Sequence, residues 1–163
     1  LADGVSAKER PPHKFDTRYA AVYYTDEEDI FTFGKKISTG VSFLMRNRGN
    51  ALIGIRGDVD RIISRVSDIL DMHPNNLFFS INIYKDYVEI TVAYREFSPT
   101  GKSPIAFYAH RTKTIYVNLD KLNDGIFAHE AAHAVISIYF GTPPPAKMQE
   151  ILAQHVDRHL WDE

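Results

Sequence analysis

The sequence contains no cysteine, and this absence excludes disulfide bonds, thiolate metal sites and cysteine nucleophiles. It also contains no apolar run near the ~20 residues that a membrane-spanning helix requires. No long basic run is present and the formal net charge is -2, so nucleic acid is not expected as a partner. The 163 residues, 44% of them hydrophobic, suit one globular domain with a sizeable core.

The sequence begins at Leu1 and not at an initiator methionine. Removal of an upstream segment such as a signal peptide is one interpretation, and it favours a periplasmic or secreted protein. Residues 1–14 are polar and include Pro11 and Pro12, so we expect a flexible lead-in before a single domain over residues 15–163. The sequence does not indicate whether this lead-in covers a cleft, and it does not indicate an oligomeric state.

Strands are predicted where β-branched and aromatic residues cluster between turn residues, over residues 17–24, 77–84, 105–110 and 113–119. The last two are separated by Arg111 and Thr112 and should be neighbours. Residues 86–97 are ambiguous. Asp86 resembles a helix N-cap and favours a helix, although the residues around Ile90 suit a strand equally.

The remaining helices are predicted from caps and apolar periodicity. A capping box of Thr25 and Glu28 should begin a helix whose apolar stripe runs from Ile30 through Val41 to Leu44. A glycine-containing loop over residues 47–57 should separate it from a helix that ends near Pro74. Residues 123–125 should cap a helix over 126–140, and a proline-rich turn should begin the last helix.

The segment His129-Glu130-Ala-Ala-His133 lies in the helix predicted over 126–140. Residues four apart on a helix project from one face, so both imidazoles can bind one ion. Glu130 is close enough to hold a water molecule that zinc activates, and it can take and deliver a proton. The alternative is a surface helix with two solvated histidines. Apolar neighbours such as Phe127 and Val135 argue against it, so the sequence predicts a Zn²⁺ site with Glu130 as the catalytic base.

A catalytic zinc has three protein ligands and one open position, so a third ligand must come from elsewhere in the chain. On the last helix Glu150, Gln154 and Asp157 share one stripe, whereas His155 and His159 lie on another. Because only one stripe can face the first helix closely, these are competing choices. The spacing alone leaves them open.

The HExxH segment, followed by a proline-rich turn and Gln149-Glu150-Ile-Leu-Ala-Gln154, resembles the gluzincin metallopeptidases, and more narrowly the peptidase MA-like family. The family pattern is HExxH followed by a helix of the form E-G-x-A-E. The resemblance covers residues 105–154 and implies that His129, His133 and Glu150 bind zinc and that the protein hydrolyses peptide bonds. Gln154 replaces the family's second acid, which commonly orients a zinc-binding histidine, and it should make that ligand less basic.

These observations together predict an α+β, zincin-like fold with a small mixed sheet of three to four strands packed on the HExxH helix. The strand at residues 105–108 should be an edge that pairs with a peptide or protein substrate by β-augmentation. Tyr108 and His110 could polarise a substrate carbonyl, but an aromatic core residue beside a surface imidazole is the simpler interpretation. The alternatives are a zinc-stabilised, catalytically weak or inactive peptide-binding module and a metal-free structural domain.

Overall fold

A mixed β-sheet organises the part of the chain that the computed structural model describes, residues 10–38 and 48–162. Five strands and five helices are present in these residues. In chain order they are β1 (His13–Asp16), β2 (Ala20–Tyr24), α1 (Glu27–Ile37), α2 (Arg48–Leu70), β3 (Phe79–Tyr84), α3 (Tyr87–Tyr94), β4 (Ala106–Ala109), β5 (Thr114–Asn118), α4 (Asp124–Phe140) and α5 (Ala146–His159). The α+β class is confirmed.

The strand order is β1-β2-β3-β5-β4. The inner pairs β2–β3 and β3–β5 are parallel, whereas the outer pairs β1–β2 and β4–β5 are antiparallel. The sheet is therefore mixed, as expected, but it has five strands instead of three or four. The additional strand is β1, which begins at His13 inside the expected lead-in. Its sequence, HKFD, is mostly polar, and pairing with β2 places it in the sheet.

Side chains alternate along each strand, so neighbouring residues lie on opposite faces of the sheet. The two faces are covered unequally, by four helices on one and by a single helix on the other. Ile81 and Ile83 of β3 and Ile115 of β5 lie in the main core, to which α1, α2, α4 and α5 all contribute. Tyr84 and Tyr116 lie in a second, smaller cluster with residues of α3. Full burial of one isoleucine side chain contributes about 1.5–3 kcal/mol, so the main core supplies most of the stability.

Two predicted boundaries in the first half are wrong. The capping box of α1 is formed by Asp26 and Asp29, one residue later than Thr25 and Glu28, with the Asp26 N–H donating to Asp29 Oδ2 at 3.4 Å. Either register satisfies an unpaired N–H and places acid at the positive helix end, so the pattern alone could not select one. Val41 and Leu44 lie outside the described residues.

The loop expected over residues 47–57 is instead the beginning of α2, which is helical from Arg48. Ala51 and Ile55 are buried and continue the stripe that runs on to Val59. Glycine costs about 1 kcal/mol per residue in a helix, and burying the apolar stripe outweighs that cost. The helix ends at Leu70, four residues before Pro74, which agrees with the predicted stop.

The ambiguous segment after β3 is a helix, α3, as preferred. Asp86 is its N-cap and accepts a hydrogen bond from the Glu89 N–H at 3.0 Å. Ile90 and Ala93 are buried against the sheet. The cap and the i, i+3 burial together favour the helix over the strand alternative.

The helices α4 and α5 position the candidate site. Asn123 caps α4 by accepting from the Ile126 N–H at 2.8 Å, and Gly141 ends it with φ 75°, a conformation that glycine adopts without strain. The short connection over residues 141–145 returns α5 against α4. Ala131 and Ala132 are fully buried, and their small side chains allow close packing. Within the described ranges, no helix is both long and apolar enough to cross a membrane.

Candidate metal centre

Three side chains from α4 and α5 converge on one point. His129 Nε2 lies 3.3 Å from His133 Nε2, and His133 Nε2 lies 3.0 Å from a Glu150 carboxylate oxygen. The other Glu150 oxygen lies 3.6 Å from His129 Nε2. Among the described residues this group could hold a metal ion, since its ligand atoms all lie within 4.8 Å of one another.

The separations fit one small tetrahedral ion. Ligand atoms bound at ~2.0–2.1 Å to tetrahedral zinc lie roughly 3.3 Å apart. The His129–His133 separation of 3.3 Å and the His133–Glu150 separation of 3.0 Å are close to this value, and the other Glu150 oxygen lies 3.6 Å from His129. Three protein ligands would leave the fourth position of a tetrahedral ion open, whereas a closed structural site fills all four.

The outer nitrogen of each histidine has its own partner. His129 Nδ1 donates to the Asp157 carboxylate, whose oxygens lie 2.9 and 3.1 Å away. His133 Nδ1 donates to Gln149 Oε1 at 3.1 Å, and the Gln149 amide nitrogen donates to the Pro144 carbonyl at 2.9 Å. With both Nδ1 atoms protonated, both Nε2 lone pairs are free and face the same point, which is the tautomer that a metal ligand needs.

The orienting carboxylate is not where the resemblance placed it. Gln154 is exposed on α5, whereas Asp157, almost one turn later, contacts His129. Asp157 was weighed only as a possible ligand, although its position seven residues after Glu150 keeps it on the same helix stripe. Gln149 was missed as an orienting residue. Its place directly before Glu150, at the start of the helix facing His133, was the available signal.

The two histidines of α5 do not belong to the group formed by His129, His133 and Glu150. The His155 and His159 rings lie 4.5 Å apart, and His159 Nδ1 contacts the Asp162 carboxylate. Neither belongs to the three-residue group found within the described chain.

Glu130 lies against the sheet next to the ligands. Its carboxylate accepts a hydrogen bond from the backbone N–H of Tyr108 in β4. The pKa of Glu130 is raised to about 7, mainly by burial. The nearby carboxylates of Glu150 and Asp157 add to this shift, while His129 and the Tyr108 N–H oppose it. A carboxyl group with this pKa can both accept and release a proton near neutral pH.

The Tyr108 side chain is partly buried beside the core, and its hydroxyl lies 3.0 Å from His110 Nδ1. Burial raises the pKa of Tyr108 above its ordinary value, so the phenol stays protonated. This hydrogen bond joins the two residues that were considered for polarising a substrate carbonyl. Their contact with each other agrees with the simpler structural interpretation.

Two cavities share Glu130 and His129 in their walls. The first, which we call the ligand cavity, measures about 270 Å³ and is lined by Phe107, Tyr108, His129, Glu130, His133, Gln149 and Glu150. The second, which we call the apolar cavity, measures about 430 Å³ and is lined by Ile105, Ala106, Asn123, Gly125, Ile126, His129, Glu130 and Asp157. Both therefore include residues of β4 and of α4.

The strand β4 is one edge of the sheet, and β1 is the other. The described residues of the expected lead-in, from residue 10 onward, lead into β1 and thus to the opposite edge. Ile105 accepts from the Asn118 N–H, so the residues alternating with it, Ala106 and Tyr108, direct their backbone groups away from β5. These groups face the side on which Glu130 lies.

No family model, curated protein or solved structure matches the chain.

Proposed function

We propose that this protein is a zinc-dependent peptidase of gluzincin type, with His129, His133 and Glu150 as ligands and Glu130 as general base. The observation that carries the proposal is the convergence of two Nε2 atoms and one carboxylate at 3.0–3.6 Å while both Nδ1 atoms have other partners. Two imidazoles and one carboxylate are a common ligand set of catalytic zinc in peptidases.

Zinc suits this set better than harder or softer ions. Mg²⁺ and Ca²⁺ prefer oxygen ligands, and copper(I) prefers sulfur, whereas imidazole nitrogen with one carboxylate suits zinc. When bound here, zinc would polarise a substrate carbonyl and lower the pKa of water toward ~7. His129 and His133 are held for this task by Asp157 and Gln149.

The proton transfers belong to Glu130. Its carboxylate accepts a proton from the attacking water as the water oxygen forms a bond with the carbonyl carbon. The same group then gives this proton to the amine nitrogen as the carbon–nitrogen bond breaks. The Tyr108 N–H holds the carboxylate at the sheet edge, where the peptide bond has to lie.

The open edge of β4 suits a peptide substrate. An extended peptide can pair with the outward backbone groups of Ala106 and with the Tyr108 carbonyl, as in β-augmentation. This pairing would place one of its peptide bonds between the two cavities and next to Glu130. The substrate class is therefore an extended peptide or an unfolded segment of a protein.

Gln154 in place of an acid weakly favours the inactive peptide-binding module. The contact between the Asp157 carboxylate and His129 supports the peptidase instead. The direct test is incubation of the zinc-loaded protein with a mixed library of internally quenched peptides, with a chelator-treated sample as control. We expect cleavage that the chelator abolishes and added zinc restores. Binding without cleavage would support the module instead.

A further inference from the structure

The apolar cavity beside Glu130 has no role in the proton transfers described above. Its volume of about 430 Å³ lies within the ~300–1,000 Å³ range of small-ligand sites. It touches His129 and Glu130, so anything bound in it lies next to the reacting peptide bond. It is also bounded by Ile105 and Ala106 of the open strand edge.

Apart from His129 and Glu130, the wall of this cavity presents little free polarity. Ile105, Ala106 and Ile126 supply apolar side chains, and Gly125 supplies none. Asn123 Oδ1 is already bonded to the Ile126 N–H at 2.8 Å, where it caps α4. The carboxylate of Asp157 is already bonded to His129. A carboxylate entering the cavity would lose water and would meet no free hydrogen-bond donor among these groups.

A peptide paired with β4 would direct alternate side chains to opposite sides of its backbone. The peptide side chain that is nearest to Glu130 and on the side of the apolar cavity would therefore enter that cavity. We propose that the apolar cavity selects an uncharged, branched or aromatic apolar residue directly beside the scissile bond, and that it rejects aspartate and glutamate. The carboxylate of Asp157, which lines the cavity, would repel a further carboxylate placed there. The inference rests on the proposed peptidase function.

The experiment compares internally quenched peptides that differ only at the residue beside the cleaved bond, which mass spectrometry of the products identifies. We expect kcat/KM to be at least about 10-fold higher for leucine than for alanine, because one methylene in an apolar pocket is worth ~10–200-fold. Aspartate should rank below alanine. Equal rates for leucine, alanine and aspartate would overturn the inference while leaving the peptidase function intact.

A substitution that changes the size of the cavity tests whether this cavity determines the preferred residue. Ile126→Ala enlarges the cavity and should move the preference toward phenylalanine, since the removed side chain forms part of its wall. The matched control is Ile53→Ala on α2, a side chain that is 72% exposed and should leave the order of preference unchanged. An unchanged preference in Ile126→Ala would place the selectivity elsewhere and contradict the inference.

A readout without turnover separates this inference from the peptidase proposal. In methyl-labelled, metal-free protein, the signals of Ile105 and Ile126 should shift on addition of acetyl-Gly-Leu-Gly-amide and stay in place with acetyl-Gly-Asp-Gly-amide. If no library peptide is cleaved but the leucine peptide shifts these methyl groups, the function fails and the selectivity stands. Failure of both measurements overturns both proposals.

Discussion

Two histidine pairs with the same four-residue spacing lie on neighbouring helices, His129 with His133 on α4 and His155 with His159 on α5. In the first pair the Nε2 atoms approach to 3.3 Å, and their outer nitrogens are held by residues of another helix, α5. In the second pair the ring centroids lie 4.5 Å apart, but the partner of His159 is the nearby Asp162.

The difference shows what the spacing alone does not provide. Both pairs have the helical geometry that allows two imidazoles to share one ion. The first pair also has Glu150, from a second helix, within reach of the same point, and Glu130 directly after its first histidine. In the second pair the residue directly after the first histidine is the buried Val156, whose side chain cannot accept or donate a proton. A site therefore needs side chains from separate elements, and long-range packing must bring them together.

The largest expected effect concerns the residue that most clearly distinguishes the pairs. Glu130→Gln should lower kcat for peptide hydrolysis by ~10²–10⁴-fold, because the amide cannot accept the proton of the attacking water. Zinc content should stay at the parent level, since Glu130 is not a ligand. The measurements are kcat with a cleaved library peptide and metal content by mass spectrometry. Hydrolysis at the parent rate would refute the assigned mechanism.

The next effect is on metal affinity. Glu150→Ala removes a direct ligand and should weaken zinc binding by more than the ~10–100-fold that loss of an outer partner costs. His155→Ala and His159→Ala are the matched controls on the same helix and should bind zinc like the parent. Dialysis against a weak chelator followed by zinc analysis ranks the variants. If a control loses its zinc while Glu150→Ala keeps it, the ligand assignment is wrong.

A smaller effect tests the orienting carboxylate. Asp157→Asn should weaken zinc binding by ~10–100-fold, because His129 loses a charged acceptor for its Nδ1 proton. Gln154→Ala changes an exposed residue of the same stripe and should have no measurable effect. Competition with a chromophoric chelator gives both affinities. The opposite ranking would restore residue 154 to the role that the family resemblance gave it.

Local patterns were sufficient for much of this molecule. The HExxH spacing placed two histidines on one face, and Asn123 and Asp86 marked the beginnings of α4 and α3. These predictions succeed because caps and i, i+4 contacts involve only residues within one or two helical turns. The alternation over residues 105–110, just before the strand that leads into α4, predicted an edge strand, and β4 is one edge of the sheet.

Other features depend on contacts between distant residues and could not be read from short patterns. The start of α2 at Arg48 requires the burial of Ile55 in a core that the rest of the chain builds. Similarly, β1 is a strand because β2 pairs with it. The contact between Asp157 and His129 depends on how α5 lies across α4, which a stripe on one helix does not determine.

The smallest expected effect is on the free energy of unfolding. It tests how much the N-cap of α4, the helix that carries His129 and His133, contributes to stability. Asn123 Oδ1 accepts from the Ile126 N–H at 2.8 Å, whereas α5, which carries the second pair, has no side-chain cap at Pro145. Asn123→Ala should lower the free energy of unfolding by about 1 kcal/mol, within the ~0.5–2 kcal/mol range for lost caps. The measurement is the urea midpoint of the metal-free protein, with exposed Asn76→Ala as the control that should stay near the parent. A midpoint equal to that of the control would mean that packing of α4 against the sheet and α5, and not its cap, determines where the helix begins.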